Sequence, residues 1–143
     1  MALSITGCGG GSDGHQSEAS TPAKETFIKR ADAICTKADS RQKAAQAAFL
    51  KRYPEATGTK LWEEKIALEA ALPPVKVEAK ELARLSAPSG NEEEIEAIVT
   101  GLEEAVKQGE AEPEVMLTQG PGPFAKLERL AREYGFKACA LPL

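Results

Sequence analysis

The stretch FAKLERLAREYGFKACA, residues 124–140, decides the fold that this sequence predicts. Its large apolar residues recur at steps of three and four, which places them on one face of a helix. They are Phe124, Leu127, Leu130, Ala131 and Tyr134. Gly135 follows them, where glycine commonly ends a helix in the left-handed conformation without a Cβ penalty. Phe136 is then placed to fold back on the last turn, and Cys139 follows shortly after it.

The composition favours packed helices. A chain of 143 residues is long enough for one domain with tails. Apolar residues make up 42% and charged residues 28%, as in an ordinary soluble globular chain. Aromatic residues are only 5%, which disfavours a sheet built from β-branched and aromatic runs. The net charge of −4 gives no basic surface for nucleic acid, and no apolar run approaches the roughly 20 residues that span a bilayer.

The first predicted helix covers residues 23–52. Thr21 can cap it, and Pro22 occupies the first position, which proline tolerates well. Apolar residues over 27–49 follow a helical stripe. Tyr53-Pro54 ends the helix, because the residue before proline is pushed out of the α region.

The second helical segment contains two consecutive prolines, which leave two interpretations open. It begins near Thr59 or Lys60, and it ends by Leu85. Proline inside a helix removes a hydrogen bond and clashes with the preceding turn. Pro73-Pro74 therefore indicates either one long kinked helix or two short helices. Because the apolar stripe keeps its phase across the prolines, we favour the kinked helix.

Two further helices complete the predicted fold. Asn91 is the expected N-cap of the third, with Glu94 as its partner in a capping box. This helix is predicted to end about Gly109. Residues 110–122 contain two prolines and two glycines and are predicted to form a loop. Pro123 is expected to open the last helix.

The N-terminal segment has a different character. Residues 5–8, Ile-Thr-Gly-Cys, resemble a bacterial lipobox, in which the cysteine is lipidated and becomes the mature N-terminus. The polar, glycine-rich residues 9–21 are typical of a flexible linker. Only seven residues precede Cys8 and they include no basic segment, so residues 1–8 are interpreted as a truncated signal sequence. The alternative is a flexible tail with a chance cysteine.

Three pieces of the chain carry a family resemblance: FIKRADAICTKA, LARLSAPSGNEEEIEAIVTGLEEAV and LAREYGFKACA. In this order they resemble a group of small secreted or lipid-anchored proteins of actinobacteria. The resemblance covers residues 26–140, and it implies an exported helical domain with one disulfide and no assigned activity. The matching positions are Phe27, Asp32 and Cys35; Leu82, Leu85 and Pro88; and Tyr134, Gly135 and Cys139.

The cysteines allow one pair and one left over. If Cys8 is lipidated, Cys35 and Cys139 form a disulfide; the alternative is two buried free thiols. Export and a disulfide belong to the same oxidising compartment, so the two interpretations support each other. The pair is not a Cys-x-x-Cys motif, which makes redox catalysis unexpected. A zinc site is not expected either, because no histidine lies in the helical region.

The sequence predicts no catalytic or cofactor-binding residue. The only histidine is His15, in the predicted linker, which disfavours Ser-His and Cys-His catalysis in the helical region. The glutamates of residues 92–96 could bind a cation, but they are typical of a solvated helix start. Four aromatic residues could line a ligand groove between helices, or belong simply to the core. They are Trp62, Tyr53, Phe49 and Tyr134.

We therefore expect an all-α, roughly four-helix antiparallel bundle over residues 22–143, closed by one disulfide and lipid-anchored outside the membrane through Cys8. The expected function is a non-enzymatic binding or interaction module of the cell envelope, with an envelope protein or a small ligand as partner and no cofactor or nucleic acid. One alternative is a purely structural envelope protein without a ligand-sized pocket. Another is a hydrolase or lyase that uses carboxylates alone, whose signature is a cleft with two carboxyls of divergent pKa.

Overall fold

A computed structural model describes residues 22–54, 59–116 and 122–140 of the chain, without the side chains of Pro22 and Leu61. The predicted cap Thr21, the linker and Cys8 lie outside these ranges. Within them the chain forms helices and no strand, which confirms the all-α prediction. The elements are α1 (Pro22–Arg52), α2 (Lys60–Ile66), a π turn (Ala67–Ala71), α3 (Leu72–Leu82), α4 (Glu92–Ala111), a 3-10 turn (Pro113–Met116) and α5 (Ala125–Tyr134).

The helical segments pack as antiparallel neighbours. Two ion pairs show this for α1 and the segment formed by α2, the π turn and α3. Arg41 contacts Glu81 at 3.1 Å, and Arg52, further along α1, contacts the earlier residue Glu69 at 3.4 Å. α3 packs in turn against α4, and α5 covers α4. The predicted antiparallel four-helix bundle is therefore confirmed.

The contact between α4 and α5 depends on a glycine. A Cβ atom on Gly101 would lie 2.5 Å from Cδ2 of Leu127. Such a distance is far below van der Waals contact, so the absence of a side chain at Gly101 allows α5 to approach α4 closely. Leu127, which is buried, is thereby brought into the centre of the bundle.

The two prolines lie inside one uninterrupted helical segment, as we favoured from the sequence. The irregularity is the π turn just before them, in which the Leu72 N–H donates to the carbonyl of Ala67. Pro73 and Pro74 occupy the first turn of α3 that follows. Because Pro73 has no N–H for the carbonyl of Glu69 and its ring would crowd that group, the wider π turn accommodates it.

The capping box predicted at the start of α4 is wrong. Asn91 precedes the helix, but its side chain accepts no hydrogen bond from it and instead donates to Oε2 of Glu94 at 3.0 Å. The backbone of Asn91 has φ −123° and ψ 12°, outside the extended region from which a capping side chain reaches the helix. Glu92 acts locally as well, because its carboxylate accepts the N–H of Gly90 at 2.6 Å.

The connection from α4 to α5 differs from the predicted loop in two respects. α4 continues to Ala111, and the 3-10 turn follows within the segment predicted as a loop. α5 begins at Ala125 and not at Pro123, because the Ala125 N–H donates to Gly122 at 3.1 Å and closes a turn first. Residues 117–121 of the predicted loop lie outside the described ranges.

The end of α5 at Gly135 confirms the prediction made from residues 124–140. Gly135 has φ 109°, in the left-handed region. Its N–H donates to the carbonyl of Arg132 at 3.1 Å, and the N–H of Phe136 donates to that of Ala131 at 3.0 Å. This is the pair of bonds of a Schellman motif. It turns Phe136 back into the core, where its ring centroid lies 4.9 Å from that of Tyr134.

Small residues let α1 lie close to the segment that follows it. Ala31 on α1 and Ala67 and Ala70 in the π turn have no exposed surface. The core around Ala31 is completed by larger residues from α3, α4 and α5. No helix in the described ranges combines the length and the apolar composition needed to cross a membrane.

Candidate functional site

The disulfide predicted from the cysteine count is present. Cys35 on α1 and Cys139 beyond α5 are joined with a Cα–Cα distance of 5.1 Å, although they are 104 residues apart in the chain. Cys35 is buried and Cys139 is half-buried. The bond therefore ties the end of the described chain to the first helix.

Asp32 holds the same segment beside the disulfide. It lies one helical turn before Cys35, and its carboxylate accepts hydrogen bonds from three consecutive backbone N–H groups. They belong to Lys137 at 3.0 Å, Ala138 at 2.9 Å and Cys139 at 3.2 Å. These groups follow the end of α5 and form a small anion-binding nest that a carboxylate can fill. Asp32 and the disulfide together fix the position of Ala138 and Cys139.

A cavity of about 170 Å³ lies beside the disulfide, between α1, α3, α4 and α5. We call it the Glu78 cavity, after the one acidic side chain that is buried in its wall. The other buried residues of the lining are apolar, whereas Gln42 and Glu128 are half-buried polar residues of the same lining. The buried apolar residues are Cys35, Leu82, Ile98, Leu102, Phe124, Leu127 and Ala131. Thr36 and Asp39, which also line the cavity, are exposed, so it opens to solvent along α1.

Glu78 is placed in this wall by the periodicity of α3. It comes three residues after Val75 and four before Leu82, both of which are buried, and only 5% of its surface is exposed. A carboxylate oxygen of Glu78 lies within 4.8 Å of Sγ of both Cys35 and Cys139. Its Oε2 atom has no hydrogen-bond partner among the described residues.

The electrostatics of this group follow from its burial. Burial, together with the smaller effect of the nearby charge of Glu81, raises the pKa of Glu78 to about 7. Glu81 itself is held in the ionised form by Arg41, which donates two hydrogen bonds to its carboxylate at 3.2 and 3.1 Å and lowers its pKa. Glu78 is therefore a carboxyl group that changes its ionisation near neutral pH.

The charged side chains that line the Glu78 cavity all carry the same sign. Asp39 of α1 and Glu128 of α5 join Glu78, whereas α4 contributes only Ile98 and Leu102. No lysine, arginine or histidine is among the described residues of the lining. Asp39 is paired with Lys43 at 2.7 Å, so a group bound inside the cavity meets the carboxyl groups of Glu78 and Glu128 together with apolar surface.

The donor atoms at this place do not form a metal site while the disulfide is intact. Cys35, Glu78 and Cys139 offer three atoms that lie within 4.8 Å of one another. Cysteine binds metals as a thiolate, however, and both sulfur atoms are used in the S–S bond. Only the carboxylate of Glu78 remains as a ligand, which is too few for zinc.

The four aromatic residues proposed to line a groove lie in two separate places. Phe49 packs on Tyr53 and Trp62, with ring centroids 4.8 and 5.9 Å apart. Tyr134 packs on Phe27, at 6.2 Å. Phe27 and Phe49 are 22 residues apart on α1, a separation of about 33 Å along the helix. The four residues therefore do not share one groove, and Phe49 and Tyr134 are buried in the core, as the alternative interpretation expects.

The glutamates predicted to be a solvated helix start are exposed on the first turn of α4. They do not line the Glu78 cavity. The sequence reasoning missed Glu78, the buried acid of the cavity, although its position in the apolar stripe between Val75 and Leu82 was a usable signal. Asp32 belongs to the family pattern, which does not predict its structural role. Its spacing of three from Cys35, which places both residues on one face of the helix, was the signal for that role.

In comparison with known proteins, the chain matches no protein-family model, no curated protein and no solved structure. The geometry and chemistry of the Glu78 cavity are therefore what indicate a function.

Proposed function

We propose that this protein is a non-enzymatic binding module of the cell envelope, which holds a small, largely apolar ligand in the Glu78 cavity. The observation that supports this proposal is one apolar cavity whose wall contains a buried acid without a hydrogen-bond partner among the described residues. Binding sites for small molecules typically combine an apolar wall with a few polar groups that fix the orientation of the ligand.

The size of the cavity limits the ligand. Its volume of about 170 Å³ is close to the roughly 150 Å³ of an engineered apolar cavity that binds benzene. A single ring or a short branched chain of similar bulk therefore fits. Larger ligands would have to extend through the open side, where Thr36 and Asp39 are exposed.

The presence of the cavity favours binding over a purely structural role. A protein that only spaces or stiffens the envelope has no use for a ligand-sized space next to its disulfide, where filling the space would add stability. An unpartnered acid in the wall adds a further cost to the free protein. Both features are explained if a ligand occupies the space.

A carboxylate-based hydrolase is the second candidate, and one observation favours it. The raised pKa of Glu78, about 7, suits a general acid or base near neutral pH. The lining offers less for the remaining chemistry. The Thr36 hydroxyl donates to the carbonyl of Asp32 at 2.8 Å, and no histidine lines the cavity in the described ranges to activate a nucleophile.

Ligand binding can be tested by NMR with benzyl alcohol as the first probe. We expect saturable changes in the methyl signals of Ile98, Leu102 and Leu127, and no change at Leu50, which is exposed on α1. Leu102→Phe should abolish the changes, because the larger ring fills part of the cavity. Leu68→Phe is the matched control, since the same substitution at an exposed position should leave binding intact.

Two results would contradict the binding proposal. One is the absence of any change at the three methyl-bearing residues at saturating probe. The other is unchanged binding in the Leu102→Phe variant, which would place the probe elsewhere.

We further propose that the domain is held at the outer face of the membrane by a lipid on Cys8, as in the actinobacterial group that the chain resembles. The lipobox-like residues 5–8 and the glycine-rich residues 9–21 support this proposal. A flexible linker of this kind lets a domain move at the surface while it remains anchored.

The anchor predicts a clear change in fractionation. Expressed behind a complete export signal, the protein should be found with membranes and should incorporate a fatty-acid analogue. Cys8→Ala should release it into the soluble fraction, because acyl chains provide the anchoring energy. Ser12→Ala, in the same segment, should stay with membranes; an unlabelled protein, or a membrane-bound Cys8→Ala variant, would reject the anchor.

A further inference from the structure

We infer that the ligand of the Glu78 cavity is a small amine with an apolar body, whose ammonium group pairs with the Glu78 carboxylate. This inference rests on the ligand-binding function proposed above and adds the charge and chemical class of the ligand. It follows from the missing hydrogen-bond partner of Glu78, from the sign of the charges that line the cavity and from the apolar residues of its wall.

The carboxylate of Glu78 needs a hydrogen-bond donor. It is 95% buried, since 5% of its surface is exposed, and its Oε2 atom has no partner in the described part of the chain. An ionised carboxylate in such a place is strongly unfavourable without a donor or a counter-charge. An ammonium group supplies both, because it carries a positive charge and three donors and has no acceptor of its own.

The charges around Glu78 select a cation. Glu128 faces the cavity from α5, Asp39 faces it from α1 and is paired there with Lys43 at 2.7 Å, and α4 contributes only apolar residues. Glu81, on the same helix as Glu78, is paired with Arg41 at 3.1 Å. No basic residue in the described ranges lines the cavity, so a ligand with a carboxylate or phosphate group would be repelled.

The wall also requires that the cation be organic. Ile98, Leu102 and Leu127 cannot coordinate a metal ion, and a hard divalent cation needs at least six oxygen ligands. An alkyl or aryl group covers these side chains and gains from the removal of their surface from water. Phe124 is part of the same wall, and aromatic rings attract ammonium groups.

Benzylamine and benzyl alcohol are suitable probes, because they have nearly the same shape and differ in the charge of one terminal group. At about pH 8, where Glu78 is largely ionised, benzylamine should bind about 10- to 100-fold more tightly than benzyl alcohol. Glu78→Gln should reduce this preference to less than about threefold. Glu63→Gln, which removes an exposed carboxylate outside the cavity, should preserve it.

The pH dependence gives a second measurement that needs no variant. As the pH falls below about 7, Glu78 becomes protonated and the affinity for benzylamine should fall by up to about tenfold per pH unit. Asp39 and Glu128 face the same cavity, and Glu81 lies on the same helix, so the profile is compared with that of benzyl alcohol. The affinity for the alcohol should change little over the same range.

The outcomes separate this inference from the proposed function. Equal binding of the two probes at Ile98, Leu102 and Leu127 would support ligand binding in the Glu78 cavity, but it would overturn the inference that the ligand is an amine. A preference for benzylamine that survives in Glu78→Gln would also overturn it, because the cation would then pair with another carboxylate. Binding of neither probe would reject the ligand-binding function itself. If the Glu78→Gln variant loses its helical circular dichroism, the pH profile of the wild-type protein decides the question.

Discussion

Converting Cys35 and Cys139 together to alanine should lower the free energy of unfolding by about 5 kcal/mol. The bond closes a sequence separation of 104 residues, and removing it frees the unfolded chain from that constraint. A domain of this size is typically stable by only about 5–15 kcal/mol, so the loss is a large share of the total. Urea unfolding of the oxidised wild-type protein and the double variant measures it.

The third cysteine provides the control for this prediction. Cys8→Ala removes a cysteine that the disulfide does not use, so the oxidised variant should unfold like the wild-type protein. The Cys8→Ala variant and the wild-type protein should lose the same free energy of unfolding when a reductant opens the disulfide between Cys35 and Cys139. A double variant within about 1 kcal/mol of the wild-type protein would show that Asp32 and the core hold the end of the chain without the disulfide.

The second large effect is a pH-dependent loss of stability caused by Glu78. Its pKa rises from 4.5 in an exposed state to about 7 in the folded protein, so the folded state holds its proton more strongly than the unfolded state. Well below pH 4.5 Glu78 is neutral in both states, and the folded protein loses stability relative to the unfolded chain as the pH rises from about 4.5 through about 7. At higher pH the total loss is about 3 kcal/mol.

Glu78→Gln should remove this loss, because glutamine keeps the shape of the side chain and cannot ionise. In urea titrations the variant should match the wild-type protein near pH 4.5 and exceed its stability by about 3 kcal/mol at about pH 8. Glu63→Gln, at an exposed position, should give a profile parallel to that of the wild-type protein. Parallel profiles for the wild-type protein and Glu78→Gln would show that a positive charge or a hydrogen-bond donor stabilises Glu78 in its ionised form.

Several features of this fold were predictable because they depend on neighbours in the chain. The bounds of α1 follow from a continuous apolar stripe and from Tyr53-Pro54. The end of α5 at Gly135 follows from glycine's access to the left-handed region. The start of α2 follows from Thr59, whose side chain accepts the Trp62 N–H at 3.1 Å. At each of these helix ends, one helical turn contains the atoms that decide where the helix begins or ends.

Two predictions failed for different reasons. The side chain of Asn91 makes no capping bond, and its backbone, at φ −123° and ψ 12°, closes a turn in which its N–H donates to the carbonyl of Pro88 at 3.0 Å. The single aromatic groove failed because Tyr134 meets the start of α1 and Trp62 meets its end. The end of α1 that each aromatic partner meets is not encoded within a stretch of four residues.

The sequence by itself determined an all-α bundle and its approximate helix bounds, because periodicity and helix signals are local, and it favoured the pair of Cys35 and Cys139 over two free thiols. Only the tertiary structure decided that Glu78 is buried beside the disulfide, among apolar residues from three other helices. The raised pKa and the missing partner of Glu78 arise from atoms far apart in the chain. Among many glutamates with similar neighbours in sequence, the environment of one cannot be known until the helices pack, because burial is a property of the whole bundle.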